Sequence, residues 1–203
     1  RFMLLFALIN GLLSHTDSTK ESHVYISRYA VIPLTKSVGL IQWVTGADTF
    51  QQLVTDYRNN RDIKMNIELE IASQDVGPIF NSLSALQRYE VYETVKSQTK
   101  GDELRQMLWL RSPDPIAWLK RNKIFTISTA LMSMAGYTIG LGDRHPSNIM
   151  VQRHTGRCLH IDFGDSFEVT MKRPVLAERV PFRLTRMMIN ALDSSSYEGL
   201  FRK

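Results

Sequence analysis

The chain has 203 residues, 43% of them hydrophobic and 22% charged, with a formal net charge of +5. That length is enough for one or two modest units with a buried core. Lys and Arg are scattered without a long run, so a nucleic-acid patch is not supported, and no apolar stretch is long enough to span a membrane. The single Cys158 argues against a disulfide scaffold and favours a reducing compartment.

The start, Arg1 to Leu13, combines a positive charge with an apolar run, as a signal peptide does. No small-x-small cleavage site follows at Ser14-His15, and no initiator Met is present. Residues 2–13 are therefore predicted as a mostly apolar helix, buried on most sides and belonging to a longer protein. Ser14–Glu21 reads as a polar turn. His23–Leu34 is predicted as a strand that Pro33 ends or places at an edge, and Gly39–Val44 as a second strand.

Asp48 is the candidate N-cap of a helix over 49–58, where Phe50, Leu53, Val54 and Tyr57 fall at helical spacing. Residues 61–98 have helical tendency, broken near Asp75–Pro78, with Leu86, Tyr89, Val91, Tyr92 and Val95 on one broad face. A short helix over 101–110 precedes the turn Ser112–Pro115, and Pro115 suits a first helical position. Ile116–Lys120 continues that short helix. Asn122–Ile139 follows as a long apolar helix closed by Gly140, a C-cap glycine. There is no internal repeat and no low-complexity tract.

The chemistry-bearing residues come next. Asp143-Arg144-His145 is followed five positions after Asp143 by Asn148, and Asp162 opens the turn Asp162-Phe163-Gly164. Phosphoryl transfer needs an acid to accept a hydroxyl proton and oxygen ligands for Mg²⁺ on the nucleotide phosphates. Protein kinases use this spacing in His-Arg-Asp-x-x-x-x-Asn, followed by Asp-Phe-Gly. Here the His and the first Asp are exchanged. Val151-Gln152 and Leu159–Ile161 read as short strands around a turn containing Gly156. That hairpin carries Asn148 at its entrance and Asp162 at its exit, close enough to share a metal. Either motif alone is weak; both, in order and one hairpin apart, are strong.

The exchanged triplet resembles the phosphatidylinositol-kinase-related protein kinase family. Val180–Met187 resembles the segment that closes the activation loop in that family, and Arg28–Leu34, Gly39–Val44, Leu108–Pro113, Met132–Tyr137 and Leu159–Val169 are similar to its target-of-rapamycin branch. The resemblance covers nearly the whole chain and is weakest across Ile71–Asn81. It implies an α+β, two-lobed protein-kinase-like fold. Residues 1–44 would be the remainder of the N-terminal lobe: a helix, two strands and the hinge. Residues 45–203 would be the helical lobe, with an insertion at 61–98, a catalytic loop at 140–150 and an activation loop at 162–186.

Position by position, the resemblance implies that Asp143 accepts or orients the hydroxyl proton and that His145 sits near the transferring phosphate. Asn148 and Asp162 would hold the metal. Gln42-Trp43-Val44 would be the hinge, with Val44 backbone groups bonding adenine and Trp43 packing on the ring. Tyr29, Ile41, Met150 and Ile161 would line the rest of the pocket; without the motif, Tyr29, Trp43, Met150 and Ile161 would read as core residues. His160 and Phe163 read as scaffold and Arg144 is given no catalytic role. Glu21, Asp102 and Asp165 read as solvated charges or caps. The Gly-rich loop, strand Lys and paired carboxylate of kinases do not occur in these residues. In the family they lie upstream of the opening helix, so the chain alone is expected to be inactive.

The resemblance further implies ATP with Mg²⁺ (or Mn²⁺), serine/threonine protein substrates and growth or nutrient signalling. It also implies a small β-propeller subunit on 61–98 and a larger complex. The expected location is cytoplasmic, with peripheral attachment to endomembranes through that complex. Ser166–Arg179 sets Lys172, Arg173 and Arg179 against Glu168 and Glu178, a near-balance with little pull toward anionic lipid. A lipid kinase and a catalytically silent, partner-binding scaffold remain as other readings. The intact Asp143, Asn148 and Asp162 speak against the scaffold.

Overall fold

Helix α1 (Phe2–His15) opens the computed structural model, which describes residues 1–16, 24–77, 82–173, 178–193 and 196–202. It buries Phe6 in a cluster with Ile26, Met132, Ile139 and Leu141. Leu4, Leu8 and Leu12 are instead 75%, 61% and 64% exposed. The expectation of burial on most sides is corrected: only one face packs, and residues four apart share the opposite stripe.

The Asn10 amide brackets the backbone of Ile26, donating to its carbonyl at 2.9 Å and accepting from its N–H at 2.7 Å. These bonds replace part of a strand ladder. The strand expected over His23–Leu34 therefore shortens to β1 (Val31–Pro33), with His23 itself outside the described residues. β1 pairs antiparallel with β2 (Gly39–Ile41), Val31 opposite Ile41 and Pro33 opposite Gly39, so proline sits at the ladder's end. The second predicted strand stops at Ile41, although Gln42 N–H still donates to the Ala30 carbonyl at 2.8 Å.

A strand absent from the sequence reading follows: β3 (Ala47–Thr49). It leads into helix α2 (Phe50–Asn59), which is capped by Thr49 accepting from Gln52 N–H at 3.1 Å, not by Asp48. Asp48 is 8% exposed and accepts from Arg153 Nε at 2.9 Å and Nη2 at 2.6 Å, with Arg111 as a second partner. A buried carboxylate held by two guanidinium groups cannot also reach the helix end.

Helices α3 (Ile67–Val76) and α4 (Ala85–Gln98) occupy the 61–98 stretch. α3 ends at Gly77, near the expected break, whose Pro78 lies outside the described residues. α4 starts on a reciprocal cap between Ser84 and Gln87. Of its predicted face, Val91 is buried, whereas Leu86, Tyr89 and Tyr92 are exposed.

α5 (Glu103–Leu110) is followed by α6 (Pro115–Ile139), one continuous helix where two were expected. Asp114 caps it by accepting from Ala117 N–H at 2.7 Å. The polar Asn122 does not interrupt it: its amide leaves the helix and donates to the Ala191 carbonyl at 2.7 Å. α6 ends at Gly140 in the left-handed conformation, φ 59° and ψ 47°.

β4 (Ile149–Gln152) and β5 (Cys158–His160) form the expected hairpin, and β3 joins it in an antiparallel sheet of order β3-β4-β5. Gly156 in the turn has φ 75°, and a side chain there would meet the Arg121 carbonyl. α7 (Arg186–Ala191) completes the main core, in which Phe50, Leu53, Leu104, Phe125, Ile149 and Met188 pack together. The architecture is α+β. No helix among the described residues is long and apolar enough to cross a membrane.

Two ion-paired acids, the buried Asp48 and the partly buried Glu68, make the fold acid-sensitive. A hydrogen bond from Arg153, then one from Arg111, hold Asp48 below the usual carboxylate range against the effect of burial. Burial raises Glu68, but Arg58, a backbone hydrogen bond and the charge of Arg186 together leave that carboxyl lowered as well. Folded values below the unfolded ones mean stabilisation that is complete above about pH 4 and lost as pH falls through the folded values. Thermal melts are expected to be flat from about pH 7 to 5 and to drop below about pH 4, less steeply in Asp48→Asn. A wild-type curve that stays flat in strong acid would refute this.

Candidate active site

Gly140 turns the chain out of α6 and starts a loop tied down from both sides. Gly142 N–H donates to the Asp165 carbonyl at 2.8 Å, and Asn148 N–H to the His145 carbonyl at 2.9 Å. Asp143 and Asp162 both have left-handed backbones, φ 56° and 55°. Few residues other than glycine enter that region, Asp and Asn among them, and such conformations persist only where surroundings enforce them.

Arg144 supplies much of that enforcement. It is 5% exposed and donates from Nε to Gly142 O at 2.8 Å, from Nη1 to Ile161 O at 2.9 Å, and from Nη2 to Asp162 O. One side chain thus fastens the Asp143 loop to the Asp162 turn, a role the sequence reading did not assign. Burial lowers its pKa, while the carboxylates of Asp143, Asp162 and Glu178 pull the other way.

Asn148 donates from Nδ2 to the Asp143 carbonyl at 3.0 Å and lies 3.5 Å from its carboxylate. That leaves Oδ1, the atom a hard cation would take, without a protein donor among the described hydrogen bonds. Ile161 N–H donates to the Asn148 carbonyl at 3.0 Å, so the hairpin brings Asn148 beside the residue preceding Asp162. Asp162 Oδ1 accepts from Gly164 N–H at 3.2 Å. His145 Nε2 lies 3.9 Å from Asp143 Oδ2, half exposed. Asp143, His145 and Asn148 thus meet within one loop, and Asp162 follows the residue whose backbone is bonded to Asn148.

Among the described residues no three His, Cys, Asp or Glu side chains converge as a metal cage. The donor set instead suits a hard cation that takes one amide and one carboxylate oxygen and shares the rest with phosphates and water.

A cleft of about 700 Å³ adjoins the site, lined by Tyr29, Ile41, Trp43, Val44, Met150 and Ile161, all six singled out beforehand. Trp43 is 85% exposed, its ring free to meet a planar ligand. Burial raises the Tyr29 pKa, and the charge of Asp162 adds to that. Ala47, Asp48, Thr49 and Gln52 line the same cleft and were missed, because they arrive there through β3. A second hollow of about 390 Å³ is lined by Asp143, Arg144 and His145 together with Glu178, Val180 and Phe182. Asp162 borders the first space and Asp143 the second.

Of the residues read as scaffold, Phe163 also lines the larger cleft. Phe163 stacks on Phe2 at 5.2 Å between centroids and meets Phe6 edge-on at 5.3 Å, joining α1 to the turn. His160 is buried and its pKa is lowered to about 3 by burial, with Arg144 adding to the effect. Asp165 is not merely solvated but pairs with Arg173, and Asp102 accepts from Gln106 at 3.1 Å. Glu21 lies outside the described residues.

The sequence profile described as "Phosphatidylinositol 3- and 4-kinase" matches residues 1–203. The chain is 46% identical over 203 residues to "Serine/threonine-protein kinase mTor" of Drosophila melanogaster, covering all of this chain and 8% of that protein. It is 46% identical over 202 residues to "Serine/threonine-protein kinase tor1" of Schizosaccharomyces pombe, covering all of this chain and 9% of that protein. The chain thus spans under a tenth of the length of these relatives. Among solved structures it superposes on "FAT and kinase domain of CtTel1" with a TM-score of 0.81 and 30% identity, over 99% of this chain and 14% of that one. Loop, fold and profile agree: the chain belongs to the phosphatidylinositol 3- and 4-kinase family.

Proposed function

We propose that the protein carrying this chain is an ATP-dependent serine/threonine protein kinase of the target-of-rapamycin type. The observation that supports the reading is Asn148 bonded to Asp143 while Ile161, the residue before Asp162, is bonded to the Asn148 carbonyl. Asp143 accepts the proton of the attacking hydroxyl, a general-base role worth about 10²–10⁴-fold. His145, beside Asp143, positions charge near the transferred group. Asn148 and Asp162 hold the divalent cation, Mg²⁺ with Mn²⁺ accepted, which neutralises phosphate charge when bound. Val44 backbone groups bond the adenine edge, Trp43 covers its face, and Tyr29, Ile41, Met150 and Ile161 enclose it.

Protein rather than lipid is the acceptor class. Lipid headgroups need an excess of cations, whereas Lys172, Arg173 and Arg179 stand against Glu168 and Glu178, and Arg173 is paired with Asp165. The names of the relatives point the same way. We also propose residues 1–44 as the end of the N-terminal lobe and 45–203 as the helical lobe, and a cytoplasmic setting in a larger complex. A β-propeller subunit fits the exposed Tyr89 and Tyr92 of α4, beside Glu93.

The test is radiolabelled phosphate transfer by the full-length parent, offered protein substrate and phosphoinositide vesicles side by side. Label in protein alone supports the reading. Label in lipid would transfer the parent to lipid kinases, and label in neither would leave a scaffold. On the same parent, Trp43→Ala is expected to raise the ATP Kd about tenfold through lost ring stacking, with kcat at saturation little changed. An unaltered Kd would remove Trp43 from the site.

A further inference from the structure

Glu178 reaches the 140–150 loop from outside it. Its carboxylate accepts the backbone N–H of Asp143 with both oxygens, at 3.0 and 3.2 Å. It also accepts the Thr170 hydroxyl at 3.2 Å, and Glu178 N–H donates to the Thr170 carbonyl at 3.3 Å. Thr170 is itself fixed: it is 1% exposed and lies so close over Gly142 that a Cβ there would come within 1.9 Å of its hydroxyl oxygen. The backbone just before Thr170 is laid along the same loop, with Phe167 N–H donating to Ile139 O at 2.9 Å and Glu168 N–H to Gly140 O at 3.0 Å.

Asp143 has a left-handed backbone, a conformation that needs external support. Arg144 braces the neighbouring peptides, whereas the N–H of Asp143 itself is held by Glu178. A charge-assisted bond to a carboxylate is roughly twice as strong as a neutral one.

We propose that Glu178 is a positioning residue: it fixes the Asp143 peptide, so that the aim of Asp143 depends on Thr170 and Glu178 being set against the loop. The inference rests on the reading of Asp143 as proton acceptor. It adds a link from the Thr170–Glu178 contact to the turnover rate. Glu178 also lines the hollow next to Asp143, so a direct grip on the acceptor substrate is the competing role.

The two roles separate kinetically in the full-length parent. Glu178→Gln keeps the side-chain length but gives up the charge and one acceptor oxygen. It is expected to lower kcat for protein phosphorylation about tenfold or more, with KM for ATP and for protein substrate within about twofold of wild type. Thr170→Val, which frees Glu178 from its anchor, should lower kcat less. The double variant should be no worse than Glu178→Gln alone, since Thr170 acts through Glu178. An unchanged kcat in Glu178→Gln overturns the proposal, as does a raised substrate KM with kcat retained. Melting temperature and ATP Kd of each variant establish that it is folded. If Glu178→Gln fails that check, Thr170→Val decides, and an unchanged kcat there overturns the proposal. A wild-type parent that labels no protein would sink the kinase reading itself, a different result from an active wild type beside an indifferent variant.

Discussion

On the proposed reading, replacing Asp143 by Asn in the full-length parent is expected to cut phosphate transfer by about 10²–10⁴-fold while leaving ATP affinity and fold intact. Asn is the informative choice because Asp143 has φ 56°, a conformation that Asp and Asn tolerate and Ala does not. The bond from Asn148 Nδ2 ends on the Asp143 backbone carbonyl at 3.0 Å, and the Glu178 bond on its backbone N–H, so both survive the change. What is lost is the carboxylate that can take a proton. ATP affinity should hold because Asp143 borders the hollow beside the nucleotide cleft rather than the cleft itself. Single-turnover rates and nucleotide titrations measure the two quantities separately. A variant within tenfold of wild type would mean that another group takes the proton.

Replacing Arg58 by Met is expected to destabilise the fold by about 3–5 kcal/mol, because it leaves the buried Glu103 and the partly buried Glu68 without their cation. Arg58 is 2% exposed and donates to Glu103 at 2.6 and 3.0 Å, to Glu68 at 2.9 Å and to the Met65 carbonyl at 2.6 Å. Glu103 is 5% exposed, and its other oxygen is buried without a partner among the described residues. Removing the arginine alone therefore strands negative charge, whereas adding Glu68→Gln and Glu103→Gln should recover part of the loss. The cluster joins α2, α3 and α5. Arg186 at the start of α7 adds to it, 3.9 Å from Glu68 and hydrogen-bonded to Thr99 at 2.7 and 3.0 Å. Faster hydrogen exchange across α2 and α5, with a lower melting temperature, would register the effect. A melting temperature equal to wild type would show that the charges are solvated after all.

Much of what depends on neighbours along the chain was legible from residues alone. Gly140 closes α6 because glycine takes the left-handed C-cap at least cost, Pro115 starts it because its missing N–H is not needed there, and Gly156 makes the hairpin turn. The five-residue step from Asp143 to Asn148, followed by Asp162, marks the site because one loop and one hairpin deliver all three side chains. Tyr29, Ile41, Trp43 and Val44 reached the cleft list through resemblance, since an aromatic or aliphatic residue in a strand has no local mark that separates a pocket from a core. Only the tertiary structure decided the rest. Asp48 has the local look of a cap, yet it is claimed by Arg111 and Arg153, 63 and 105 positions away. Three-residue β3 exists because β4 is there to pair with it. Arg58, Arg144 and Glu178 are ordinary charges in sequence and acquire their roles by where distant carboxylates, carbonyls and N–H groups lie. The outward Leu4, Leu8 and Leu12 likewise follow from which face of α1 meets α6. Periodicity and capping act over four or five residues, but burial and pairing are settled by partners that only folding brings together.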